Sequence, residues 1–148
     1  LLVLDEPTTG LDPQVRHLIW SRLRELKSAG TTLLLTTHYM DEAERMCDSL
    51  VIMDAGRIIA SGSPRALIRE HVETDVIEVH EGDAAAAALL ADGAGSRVER
   101  VGTSLHCYTR SPAAVIGRLE AAGHTGHTHR SANLEDVFLR LTGRDLRD

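Results

Sequence analysis

The sequence predicts an α/β protein, a parallel sheet with helices, followed by a smaller α+β unit. Three observations carry that expectation. The chain opens on an apolar run, Leu1-Leu2-Val3-Leu4, ending in two acids, the pattern of a central parallel strand with chemistry at its C-terminal end. Strand-like and helix-like runs then alternate to about residue 72, the order that builds a parallel sheet. After Glu73 the pattern changes to short alternating strands, so a boundary is expected near residue 73, with regions 1–72 and 73–148.

In the first region, Asp12-Pro13 offers an N-cap with proline at the first helical position. Val15, Leu18, Ile19, Leu23 and Leu26 follow at helical spacing, and Gly30 closes the helix. Thr31–Thr36 reads as a second buried strand. A short helix over about 40–48 carries Asp41 and Glu42 in its first turn, where the helix dipole favours negative charge. Leu50–Met53 is a third strand, and Asp54-Ala55-Gly56 turns it into a hairpin with Arg57–Ala60. Ser63-Pro64 starts a helix to about His71.

In the second region, Val76, Glu78 and His80 alternate with Ile77 and Val79 along a strand. An Ala-rich helix is expected over about 83–91, a loop at Gly93-Ala94-Gly95, and a hairpin of 97–101 with 105–108 around Gly102-Thr103. A helix over 112–122 ends at Gly123, and a strand follows over about 125–130. The order βαββαβ matches the ferredoxin-like split unit. The last helix, capped by Asn133, sets Leu134, Val137, Phe138 and Leu141 on one face, an apolar stripe suited to stabilising a dimer.

Composition limits the function classes. The 148 residues are 43% hydrophobic, enough for a packed core, and carry a formal charge of -6. That balance, with scattered basic residues, argues against a nucleic-acid surface. Cys47 and Cys107 form no CxxC pair, consistent with a reducing compartment. Cys47 extends an apolar helix face with Met40, Ala43 and Met46, so it reads as core rather than nucleophile. No apolar run reaches the roughly 18 to 20 residues needed to cross a bilayer. There is no initiator methionine, and the first residues already read as a buried strand, so the chain reads as a fragment lacking its N-terminal part.

The informative stretch is Leu1-Leu2-Val3-Leu4-Asp5-Glu6-Pro7-Thr8-Thr9-Gly10-Leu11-Asp12. A phosphate-transferring site needs one carboxylate to hold Mg²⁺ and another to orient and deprotonate the attacking water. Adjacent acids at a strand end can divide those jobs. Asp-Glu alone is also how a solvent-exposed turn begins; the attached Pro-Thr-Thr-Gly-Leu-Asp removes that reading. His38, in Thr36-Thr37-His38, ends the next strand and is delivered to the same sheet edge.

These residues resemble the ABC ATPase family, with the Walker B strand ending in Asp5-Glu6 and the D-loop at Thr9-Gly10-Leu11-Asp12. The resemblance implies ATP and Mg²⁺ as ligands. It implies that Asp5 positions Mg²⁺ through water, that Glu6 is the general base, and that His38 is the switch histidine touching the γ-phosphate. Asp12 would lie in the loop that crosses a dimer interface toward the partner's site. The likeness covers 1–72 closely, placing this region as the C-terminal part of a P-loop NTPase sheet. Residues 73–148 resemble the C-terminal extension of exporter ATPases of the drug-resistance and nodulation-factor (lipo-oligosaccharide) type, chiefly through Asn133-Leu134-Glu135-Asp136-Val137-Phe138-Leu139-Arg140-Leu141-Thr142-Gly143.

The implied role is the energy-coupling subunit of a bacterial exporter, peripheral to the cytoplasmic face of the membrane. It would act as a homodimer, drive a separate transmembrane permease and have no nucleic-acid partner. The chain holds no G-x-x-x-x-G-K-[ST], and the glutamine loop and signature normally precede the position of Leu1, so these residues alone are expected to be inactive. Two rivals are a soluble ABC ATPase of translation or DNA repair, and a non-catalytic regulatory or dimerisation fragment. The former tends to carry Asn-His or Ala-Asn where Thr9-Gly10 stands and lacks the extension. His124, His127 and His129 tempt a metal reading. Neither Cys nor acid joins them at structural-zinc spacing, so they read as solvent-facing strand residues.

Overall fold

A computed structural model describes residues 1–80, 87, 88, 90 and 97–143. In chain order its elements are β1 (Leu2–Asp5), α1 (Pro13–Ser28), β2 (Leu33–Thr36), α2 (Met40–Met46), β3 (Leu50–Asp54), β4 (Arg57–Gly62), α3 (Pro64–His71), β5 (Asp75–Val79), β6 (Arg97–Val101), β7 (Ser104–Thr109), α4 (Pro112–Ala121), β8 (His127–Ser131) and α5 (Leu134–Thr142). The expected Ala-rich helix over 83–91 and the loop at 93–95 fall largely outside the described residues, though Ala87, Ala88 and Leu90 are helical.

Helix starts follow the local chemistry. Asp12 accepts from the Val15 amide at 3.0 Å and Ser63 from the Ala66 amide at 3.2 Å, each ahead of a proline at the first turn. Asn133 and Asp136 form a reciprocal capping box on α5, which Gly143 ends in the left-handed conformation at φ 65°.

Three sheets form. β1 and β2 pair in parallel, with Asp5 opposite Thr36. The parallel sheet is smaller than the sequence predicts: among the described residues β3 pairs only with β4, antiparallel. The hairpin itself is the expected one: Ala55 and Gly56 both take positive φ (47° and 74°) and fold the chain straight back, matching the strand twist. The third sheet is antiparallel with order β6-β7-β5-β8.

The helix α1 packs on β1 and β2 through Trp20 and Leu23, flanked by Ile19 and Leu26, and Met46 of α2 joins them. Leu18, counted among the apolar stripe, is instead 68% exposed. It lies about 140° around the helix from Leu23, at roughly 100° per residue, beyond the edge of the buried stripe.

One face of the four-stranded sheet, through Ile77, Val79, Leu105 and Cys107, packs on Leu90 and on Val115 and Leu119 of α4. The other face, through Val76 and Tyr108, joins Ala43, Ile52, Leu67, Val72, Leu134 and Val137 in a core that crosses residue 73. Here the structure corrects the expectation for the last helix. Leu134 and Val137 are fully buried, with Phe138 and Leu141 packed against the same cluster, so this face is not presented to a second subunit. Burial of such side chains favours the packed state by roughly 1.5 to 3 kcal/mol each. Glu44 of α2 adds a fastening, accepting from the Leu134 amide at 2.9 Å.

Candidate active site

Parallel pairing with Asp5 opposite Thr36 sets both strand ends at one edge, so the residues that follow, Glu6 and His38, leave the sheet side by side. The Nδ1 atom of His38 lies 3.2 Å from Glu6 Oε1, and the two side chains are equally half-exposed. The other oxygen, Oε2, accepts from the Thr9 hydroxyl at 3.1 Å. One carboxylate oxygen of Glu6 thus stands beside the His38 ring while the other is hydrogen-bonded by Thr9.

Thr36 binds both acids. Its hydroxyl donates to Asp5 Oδ1 and accepts from the Glu6 amide at 3.2 Å, while its carbonyl accepts from the same amide at 3.0 Å. Beyond this point the chain bends sharply. Glu6 takes φ 45°, a left-handed conformation shared, among the described non-glycine residues, only with Ala55. Such conformations persist where the surroundings over-determine them, and they cluster at functional sites.

Asp12 is not brought to this cluster by any hydrogen bond or ion pair among the described residues. Its side chain caps α1 through the Val15 amide. It stands at the far end of the loop that begins at Glu6.

The donor set suits a hard cation. Asp5 and Glu6 offer carboxylate oxygens at an exposed edge, with one Asp5 oxygen engaged by a hydroxyl rather than by a cation. Mg²⁺ is typically held by one or two carboxylates, several waters and substrate phosphates, so these residues fit a nucleotide-borne Mg²⁺ and not a closed protein cage.

Glu42 is a residue that reading the sequence missed. Read as a first-turn dipole residue, it is instead fully buried, and its Oε1 accepts from the Thr8 hydroxyl and the Trp20 indole, each at 2.9 Å. Trp20, one of two isolated aromatics in the first region, thus carries both packing and a hydrogen bond. The available signal was position: Glu42 lies one helical turn after His38 on a face otherwise made of Ala43 and Met46. Arg16 stacks over Tyr39 at 4.5 Å, and the Tyr39 ring lies 4.2 Å from that of His38.

The other histidines are engaged elsewhere. His129 meets Asp75 at 2.7 Å, and His127 Nδ1 lies 3.4 Å from the His124 carbonyl. Among the described residues no three His, Cys, Asp or Glu side chains are grouped to hold a metal ion. Burial raises the Cys47 thiol above its usual value, against a nucleophilic role.

Sequence similarity to curated proteins extends along the whole chain. Residues 83–143 match the family described as Nodulation factor export protein NodI, C-terminal domain. A Nod factor export ATP-binding protein I of Ralstonia nicotianae is 52% identical over 154 residues, covering 100% of this chain and 48% of its own length. One from Rhizobium leguminosarum bv. viciae is 53% identical over 146 residues, covering 99% of this chain and 47% of its own. The chain thus spans about half the length of the curated relatives it matches. The solved structure of an ABC transporter's ATP-binding subunit is 43% identical, covering 47% of this chain and 29% of its own, at a TM-score of 0.42.

Proposed function

We propose that the chain belongs with the ABC-type ATP-binding subunits of the Nod factor export group and carries the water-activating half of an ATPase site that drives export through a separate membrane permease. The observation that supports this most is the pairing of Glu6 with His38 at the edge where β1 and β2 end, next to Asp5.

In this reading Glu6 orients the attacking water and takes its proton. One of its oxygens is hydrogen-bonded by Thr9 and the other lies beside His38, which favours a base already oriented as reaction begins. Asp5 would hold Mg²⁺ through water, and the ion, when bound with ATP, neutralises charge on the phosphates. Asp12 sets the start of α1 and so the far end of the loop that, in a homodimer, would approach the partner's site.

The phosphate-binding loop and signature would come from the remainder of the polypeptide. Val3 and Leu34 on β1 and β2, and Val51, Met53 and Ile58 on the hairpin, are more than half exposed, apolar faces suited to covering by that remainder. Residues 73–148 would form an accessory domain after an ATPase portion at 1–72. The all-antiparallel order β6-β7-β5-β8 supports a ferredoxin-like split βαβ arrangement. The transported class would be lipo-oligosaccharides like the Nod factors of the relatives' name. No helix among the described residues is long and apolar enough to cross a membrane, and we place the subunit at the cytoplasmic face, against its permease.

Two results test the reading. In the complete protein, His38→Ala should lower the ATPase rate at least about tenfold through loss of a contact that strengthens as charge develops. A steady-state rate within about twofold of wild type would return His38 to a structural role. Residues 1–148 alone should bind ATP–Mg²⁺ more weakly than about 100 μM, because ground-state affinity in P-loop ATPases comes mainly from the phosphate loop's amides and lysine. Saturable calorimetric binding tighter than that would mean that these residues own a phosphate site.

A further inference from the structure

We propose that Glu42 is a positioning residue for the hydrolytic pair, acting through Thr8 and Trp20 and not by touching nucleotide. The proposal rests on the roles given above to Glu6 and His38.

A fully buried glutamate ordinarily has a cationic partner. Glu42 is fully buried, and among the described residues no ion pair reaches it. Its Oε1 takes both hydrogen bonds, from Thr8 and Trp20, while Oε2 meets no donor among the described residues. A carboxyl group so placed is a poor device for stability, since an apolar side chain would fill the same space without burying a polar atom that lacks a partner.

Its geometry gives it another use. Thr8, also fully buried, is the second residue after Glu6. Trp20 sits in the middle of the helix that the loop enters, and Glu42 one turn beyond His38 on the next helix. A single oxygen atom therefore ties together the loop carrying the base, the helix after that loop, and the helix after the histidine. The relative placement of these segments sets the 3.2 Å contact between His38 and Glu6.

The bend at Glu6 makes the tie consequential. On its N-terminal side the residue is pinned to β2 by the Thr36 carbonyl and hydroxyl. On its C-terminal side the loop bonds to itself, from the Thr9 amide to the Glu6 carbonyl at 3.2 Å and from the Leu11 amide to the Thr8 carbonyl at 3.3 Å. The bond from Thr8 to Glu42 fastens that loop to another element and so holds a left-handed φ that would otherwise relax.

The test uses the complete protein and the variants Thr8→Val, Trp20→Phe, Glu42→Ala and Glu42→Gln, with Glu6→Gln alongside. Thr8→Val, which removes the hydroxyl at almost constant volume, should lower kcat by about tenfold to a hundredfold, the scale of a misplaced catalytic group. KM and the affinity for a non-hydrolysable ATP analogue should stay within about twofold of wild type. Trp20→Phe should act in the same direction. Glu42→Gln keeps an acceptor oxygen at the same reach and should recover most of the rate lost in Glu42→Ala. The pair Thr8→Val with Glu42→Ala should be no slower than the slower single variant, because both break one link.

Because Glu42→Ala empties a buried site and risks unfolding, Thr8→Val decides. A Thr8→Val kcat within about twofold of wild type overturns the proposal. So does a loss of kcat matched by an equal loss of nucleotide affinity, the mark of general damage. If Glu6→Gln is inactive while Thr8→Val is normal, only the positioning role of Glu42 falls. Should Glu6→Gln itself turn over normally, the base assignment fails and this role with it.

Discussion

Glu6→Gln in the complete protein is expected to reduce ATP turnover by about 10²- to 10⁴-fold, the contribution of a positioned general base, with ATP binding retained. The local geometry explains why the two effects separate. Glu6 Oε1 faces Nδ1 of His38, and Oε2 faces the Thr9 hydroxyl. A glutamine can keep its oxygen toward His38 and turn its NH₂ to Thr9, whose hydroxyl rotates from donor to acceptor. The side chain and the bend at φ 45° can therefore stay in place, and only the capacity to take a proton is lost. The bound, unhydrolysed state should then accumulate as a closed dimer. Phosphate release at saturating ATP, read with nucleotide affinity and with dimer content on a sizing column, checks the result. Wild-type-like release would remove Glu6 from the base role.

What could be read from the sequence was whatever local chemistry determines. The caps at Asp12, Ser63 and Asn133 depend on side chains bonding amides three residues ahead, so pattern alone locates three helix starts. That Asp5, Glu6 and His38 lie at one edge was legible for a related reason: Asp5 ends β1, Glu6 follows it and His38 lies just beyond β2, and parallel pairing brings strand ends together. Long-range partners were not legible. Thr8 and Glu42 meet across 34 positions, and nothing near Glu42 distinguishes a buried acceptor from an acid placed for the helix dipole, as Asp41 beside it shows by pairing with Arg45 in solvent. The stripe on α5 announced burial but not against what: Leu134 and Val137 turn out to close the core shared with Ile52, Leu67 and Val76. The hairpin of β3 with β4 was legible too, because the turn at Asp54-Ala55-Gly56, where Ala55 and Gly56 take positive φ, is local.

Arg130→Met is the substitution outside the site with the largest expected effect. The guanidinium reaches Asp136 through both terminal nitrogens, at 2.7 and 2.9 Å, and Glu78 through Nε at 2.6 Å. Asp136 is 1% exposed and also accepts from the Tyr108 hydroxyl at 3.1 Å and the Asn133 amide at 2.9 Å. Burial acts to raise its carboxyl, but Arg130, the Asn133 amide and the Tyr108 hydroxyl together outweigh it, leaving the group below the usual carboxylate range. Its favourable contribution is therefore present above the unfolded value near 3.9, as at neutral pH, and is lost as pH falls through the folded value. Removing Arg130 strands a buried charge, at a cost of about 3 kcal/mol, the low end for broken buried pairs because the arginine is itself about a third exposed. Burial is then opposed only by the Asn133 and Tyr108 donors, so protonation of Asp136 becomes easier and the variant should lose less stability on acidification than wild type does. Hydrogen exchange on the α5 amides of the complete protein reads this locally: protection should fall about a hundredfold near neutral pH, and the gap should narrow toward pH 4. An unchanged protection factor, or a gap that widens with acid, would mean that the Asp136 charge is held by the cap and the tyrosine alone.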